Sequence, residues 1–167
     1  MRMLPRFLSN TRGAAAAEMA LIVPLATLII FTTLEAGHYF YQRHQVVKAL
    51  RDGARFAARQ DFDLINCRTS GGSIDATLVG TIKNLTLTGQ VSGGTPRIAQ
   101  WAASDITVTV TCPSVAENQT GIFASTEPAP QVNIATTFDY DSLFGGLGVF
   151  NDTVDLGGAQ QATVMGI

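Results

Sequence analysis

The chain has 167 residues, 46% of them hydrophobic and only 14% charged, with a formal net charge of −2. That length allows one domain with a modest core, and the charge content falls below the roughly 25% usual for a soluble domain. Residues 98–167 hold seven acids and no Lys or Arg, which excludes a nucleic-acid-binding surface there, because phosphates call for a basic one.

Arg2, Arg6 and Arg12 open the chain with no acid among them. Residues 14–34 follow as an almost unbroken run of apolar and small side chains. At 1.5 Å per residue, a helix of that length reaches roughly 31 Å, the thickness of a bilayer's hydrocarbon core. Basic residues ahead of the run favour a cytoplasmic N-terminus. The sequence therefore divides into a leader at 1–13, a transmembrane helix at 14–34, an amphipathic extension at 35–62 and a head at 63–167. A secretory signal peptide would need small residues after the run, yet Thr32 to His38 fits that pattern poorly. The small residues stand in front instead, at Gly13 and Ala14 to Ala17. A plain anchor leaves Glu18 unexplained, because a carboxylate in an apolar span is costly and marks a functional candidate.

Glycine, four residues, then glutamate at the mouth of an apolar helix resembles the cleavage motif of type IV prepilins. The resemblance implies that a membrane aspartyl peptidase cuts between Gly13 and Ala14, leaving Ala14 as a free amine. Glycine keeps the scissile backbone accessible, and Glu18 lies one turn beyond Ala14, so ammonium and carboxylate share a face. In pilins this glutamate is thought to neutralise a neighbouring subunit's terminal amine. Pro24 predicts a kink or a melted turn in the span, since its ring removes a backbone donor.

Residues 35–60 read as the same helix leaving the bilayer. Phe40, Val47, Leu50, Ala54, Ala57 and Ala58 form an apolar stripe, flanked by Arg43, Arg51 and Arg55. Over residues 12–59 the resemblance narrows to the TadE-like family of the tight-adherence (Tad, or Flp) pilus system. It is carried by Arg12 to Leu25, by Glu35-Ala36-Gly37-His38-Tyr39-Phe40-Tyr41, and by Lys48 to Arg59, where the signature falls on Arg51, Gly53, Ala54, Arg55, Ala57 and Ala58. Leu50 stands where the family pattern has Ala. The resemblance implies a non-enzymatic minor pilin or pseudopilin of the bacterial inner membrane, with its C-terminal domain in the periplasm. Its implied partners are a prepilin peptidase, other Tad pilins, the inner-membrane assembly platform and membrane lipid. Two other roles fit the sequence: an anchored periplasmic binding domain, and a type II secretion pseudopilin.

Beyond residue 60, Ile74, Leu78, Ile82 and Leu85 predict a short helix over 73–86. Alternation of Ile106, Val108, Val110 and Cys112 with threonines predicts a strand over 105–112. A long loop is expected at 113–131, a second strand at Val132 to Phe138, and a third at Gln160 to Met165. Helix first and antiparallel strands after is an α+β order, compatible with a pilin-like head. Cys67 and Cys112, the only cysteines, are either one disulfide, if the head is translocated, or two buried thiols. His38 and His44 read as interfacial or surface residues. Asp139, Asp141, Asn151, Asp152 and Asp155 lack an EF-hand's spacing, and the acids among them read as solvated. Sequons at Asn84, Asn118 and Asn151 read as coincidence. Neither a nucleophile–base constellation nor a cofactor loop stands out. Leu143 to Phe150, apolar and glycine-rich, folds onto the core or meets another pilus component.

Overall fold

The computed structural model describes residues 11–68, 71–113, 123, 128–145 and 154–166. The leader up to residue 10, most of the expected loop at 113–131, residues 146–150 of the apolar run, and Asn118, Asn151 and Asp152 lie outside them.

One helix, α1 (Thr11–Ala58), carries both the apolar run and the extension. Its 48 residues reach about 72 Å at 1.5 Å each. Alanines, leucines and methionines favour the helix through its first turns. It runs through Pro24 without interruption, so no turn melts there. Threonine hydroxyls in this segment are satisfied locally. Thr27, Thr32 and Thr33 donate to the carbonyls of Val23, Leu28 and Ile29 at 2.7–2.8 Å, which removes unpaired donors from an apolar surface.

The second half of α1 buries one face. Glu35, Gln42, Val46, Ala49, Leu50, Gly53, Ala54 and Ala57 recur at intervals that keep them on one side of a helix. The expected stripe is rotated at its edges. Phe40 is 55% exposed, and Val47 and Ala58 are only partly buried. Gln42 and Val46 take those places, because the turn nearest the apolar run packs on polar partners described below.

After α1 the chain forms a two-stranded antiparallel ribbon, β1 (Ile65–Asn66) and β2 (Ser73–Ile74). Helix α2 (Ala76–Thr88) starts later than its apolar spacing implies. Ser73 and Ile74 are taken by the ribbon, and Asp75 caps the helix by accepting the Leu78 N–H at 2.9 Å. Gly89 closes it in the left-handed conformation, φ +82°.

Three antiparallel strands follow as a meander: β3 (Ile106–Thr111), β4 (Gln131–Asp139) and β5 (Asp155–Thr163). Val132, Ile134, Thr136, Phe138 and Leu156 face inward, while Thr107, Thr109, Thr137, Asp139 and Asp155 face solvent. The third strand begins at Asp155 rather than Gln160. Gly157 and Gly158, which look like a turn in sequence, are paired with Thr137 and Thr136. A Cβ on Gly158 would meet Leu50 Cδ1 at 3.1 Å, so glycine lets α1 lie close on the sheet.

The core joins Val46, Leu50, Leu78, Ile82, Trp101, Ile106, Ile134 and Leu156 between α1, α2 and the inner sheet face. Trp101 is 1% exposed and stacks on Phe138 at 5.6 Å. Its Nε1–H donates to Thr136 Oγ1, which donates to the Asp105 carbonyl, both at 2.9 Å. Burial of each such aliphatic side chain contributes about 1.5–3 kcal/mol, so tertiary packing holds the extension more than propensity does.

Candidate functional site

Most of the apolar half of α1 has no cover. Met19, Leu21, Ile22, Val23, Leu25, Leu28, Ile29, Ile30 and Leu34 are each more than half exposed. This one helix is long and apolar enough to cross a membrane. Gly13, Ala14 and Glu18 are exposed at its start, and a Cβ on Gly13 would touch nothing. The backbone that a peptidase would address is therefore open, with the carboxylate one turn away.

The apolar run ends at Glu35, which is buried to 2% exposure. A buried carboxylate needs donors, and the end of β4 supplies them. Tyr140 donates its hydroxyl proton to Glu35 Oε1 at 2.6 Å. The backbone N–H groups of Leu143 and Phe144 donate to Oε1 and Oε2, each at 3.2 Å. Burial on its own would raise the Glu35 pKa. Hydrogen bonds from Tyr140, Ser142, Leu143 and Phe144 outweigh that and hold it below the usual carboxylate range. Tyr140 moves the other way, pushed up first by burial and then by its bond to Glu35.

The network continues up the helix. His38 Nδ1 lies 2.9 Å from Tyr140 Oη, and Gln42 Nε2 lies 3.2 Å from His38 Nε2. Because the Tyr140 proton is committed to Glu35, His38 donates from Nδ1 and accepts at Nε2 from the Gln42 amide. Gln42 Oε1 stays buried without a partner among the described residues. Phe144 then sets its ring 4.9 Å from Phe31, which clamps the loop to the last turns of the span. His38 is thus a part-buried member of a hydrogen-bonded chain at the end of the apolar run, whereas His44 is exposed. Leu143 and Phe144, in the described part of the apolar run, are held on α1.

The signature residues separate into two sets. Gly53, Ala54 and Ala57 are buried. A Cβ on Gly53 would overlap Thr86 Oγ1 and press on Ile134 Cδ1 at 3.2 Å, so Gly53 marks where α1 crosses both α2 and the sheet. Ala58 is partly buried, and its carbonyl accepts the Met165 N–H at 2.9 Å. Gly37, Arg51 and Arg55 are exposed, and nothing among the described residues of the head explains them. Sequence reasoning marked Glu35 only as part of a pattern and assigned no role to Tyr140. A carboxylate followed by residues of helical burial spacing is the signal that could have singled it out.

Cys67, just after β1, is bonded to Cys112, just after β3, with Cα atoms 5.7 Å apart. The bridge ties the ribbon to the sheet rather than helix to sheet. Its 45-residue separation implies about 4 kcal/mol of stabilisation in the chain-entropy account. Among the described residues no group of His, Cys, Asp or Glu is arranged to hold a metal.

No curated protein and no solved structure matches the chain. Residues 13–55, from the mouth of the apolar helix to the turn packed against Thr86, match the model of the family described as TadE-like protein, and this segment of the chain is TadE-like.

Proposed function

We propose that this protein is a structural, non-enzymatic component of a tight-adherence pilus, a minor pilin or pseudopilin anchored in the bacterial inner membrane. Its leader faces the cytoplasm and its head the periplasm. A prepilin peptidase cleaves between Gly13 and Ala14, and Glu18 then serves assembly by pairing with a terminal amine of a neighbouring pilin. Its partners are other Tad pilins and the assembly platform, and its role is in adherence and biofilm formation.

The observation that carries this reading is the two-part helix. One unbroken α1 is uncovered and apolar from Gly13 to Leu34 and then becomes the spine of a folded head. The family match over residues 13–55 supports the same reading.

The test is N-terminal sequencing of the chain extracted from membranes. A mature terminus at Ala14 is expected, and an intact Met1 or a terminus near residue 36 would overturn the proposal. Glu18→Ala is expected to leave membrane insertion intact and to reduce incorporation into pili or assembly intermediates. Normal pilus production by that variant would remove the role given to the carboxylate.

A further inference from the structure

The face of α1 that the core does not use has a composition of its own. His44, Lys48, Arg51, Arg55 and Arg59 follow one another at intervals of three or four residues, so they form one stripe along the helix. All five are exposed. Among the described residues none of them makes an ion pair, and the two described bridges involve Arg68 with Asp63 and Arg97 with Asp52. Lys48, Arg51, Arg55 and Arg59 repel one another at such spacing, and Asp52, the nearest acid on α1, is engaged by Arg97 at 3.0 Å.

The opposite side of the head has the complementary problem. Asp139 and Asp155 are cross-strand partners on β4 and β5, both exposed, and among the described residues neither is paired with a cation. Like charges directly opposite in a sheet are destabilising. Asp141, also exposed, stands two residues further on. The two patches lie on opposite sides of a two-layer head. Helix α1 rests on the inner sheet face through Leu50 and Gly53, whereas Asp139 and Asp155 alternate with the inward-facing Phe138 and Leu156 and so point away from α1.

We propose that these faces meet between two copies of this chain, the basic stripe of one lying on the acidic end of the outer sheet face of the next. Opposite charge on opposite sides makes the contact head-to-tail, so it leaves a free patch at each end and can be repeated. The copies are also stepped. Tyr140, next to Asp139, bonds Glu35 and His38, so the acidic pair sits level with the first turns beyond the apolar run. Lys48 lies on the order of 15 Å further along the helix, at 1.5 Å per residue. In a flat bilayer two copies stand level and the patches miss each other. The contact forms when one copy is raised by about that distance. This deepens the pilus reading and rests on it for its setting, but it concerns a property of the isolated chain.

The test uses the full chain, purified in a neutral detergent that lets copies shift axially. Lys48 and Lys83 are the only lysines, so with the terminal amine they leave zero-length carbodiimide coupling of carboxylate to amine few possible products. Mass spectrometry of mixed isotope-labelled and unlabelled chain is expected to show Lys48 joined to Asp139 or Asp155 between copies, with a yield that falls as salt rises. Arg51→Glu with Arg55→Glu, or Asp139→Arg with Asp155→Arg, is expected to weaken self-association in sedimentation by roughly three- to tenfold. Mixing the two double variants is expected to restore association. Circular dichroism and an intact Cys67–Cys112 bridge establish that each variant is folded. A monomer at every concentration, association indifferent to both reversals, or no rescue on mixing would overturn the proposal. Each of those results leaves cleavage after Gly13, and hence the pilus reading, standing on its own test.

Discussion

At the scale of single residues, Gly53 shows how the head sets its tolerances. It lies where α1 crosses α2, and the atom that fills its missing side chain is Thr86 Oγ1. Alanine there has two opposed effects. Replacing glycine inside a helix stabilises by about 0.5–1 kcal/mol, while overpacking a tight contact costs about 1–3 kcal/mol. The second effect wins, so Gly53→Ala is expected to lower the denaturation midpoint. The Thr86 hydroxyl bonds only to the Ile82 carbonyl of its own helix, at 2.8 Å, and can be removed at modest cost. Gly53→Ala combined with Thr86→Ala should therefore recover most of the loss, with a coupling of about 1 kcal/mol or more in a double-mutant cycle. Purely additive effects would show that the crossing is not what requires glycine. The signature motif thus becomes partly physical: Gly53, Ala54 and Ala57 answer to packing, and Arg51 and Arg55 have no bonded partner among the described residues.

At the scale of elements, the loop after β4 is fastened to α1 by a charge. Tyr140 and the Leu143 and Phe144 amides all donate to Glu35, so the loop depends on the anion. A carboxyl whose folded pKa lies below its unfolded value stabilises fully above the unfolded value. That contribution is lost as pH falls through the folded one. Glu35 is lowered in this way. Hydrogen-exchange protection at Leu143 and Phe144, corrected for intrinsic rates, is expected to hold near neutrality and to decline only once the medium is more acidic than the ordinary glutamate range. Glu35→Gln should remove about 1–3 kcal/mol of it at pH 7, and unchanged protection would show that the Phe31–Phe144 contact alone seats the loop. Much of this architecture is legible in the chain. Period-two alternation marks β3 and β4 because one face of each is buried. The start of β5 is hidden because Gly157 and Gly158 resemble a turn, and only the closeness of Leu50 explains why they are paired strand residues. Trp101 sits in no periodic segment, so its place in the core depends on Thr136 and Phe138, which lie far along the chain. The Glu35 network was illegible for the same reason: its donors are more than a hundred residues away.

At the scale of the whole molecule, α1 joins two environments without a hinge. Between Met19 and Leu34 nine large apolar side chains are more than half exposed, and Phe31 in the same stretch meets the head through Phe144; that is far beyond the few hundred Å² of contiguous apolar surface that a soluble monomer exposes. From Glu35 onward the same helix is buried on one face. Acyl chains are the cover that suits the first half, because roughly 31 Å of apolar helix matches their depth. The Glu35 network and the Phe31–Phe144 contact brace the junction, so the head cannot swivel freely on its anchor. This arrangement fixes depth by position along one rigid axis. Single cysteines introduced at Leu25, Tyr41 and Lys48 can carry spin labels selectively, since Cys67 and Cys112 are bonded to each other. In proteoliposomes the label at position 25 should relax with lipid-soluble oxygen and be shielded from a water-soluble nickel chelate. At position 48 the preference should reverse, and at 41, in the zone where aromatic residues gather, it should be intermediate. Lys48 lies about 35 Å beyond Leu25 along the helix, so a rigid α1 requires a monotonic change across the three sites. Water access at 25 would place the apolar run on a protein partner instead of lipid, and lipid access at 48 would mean that the helix lies along the membrane surface.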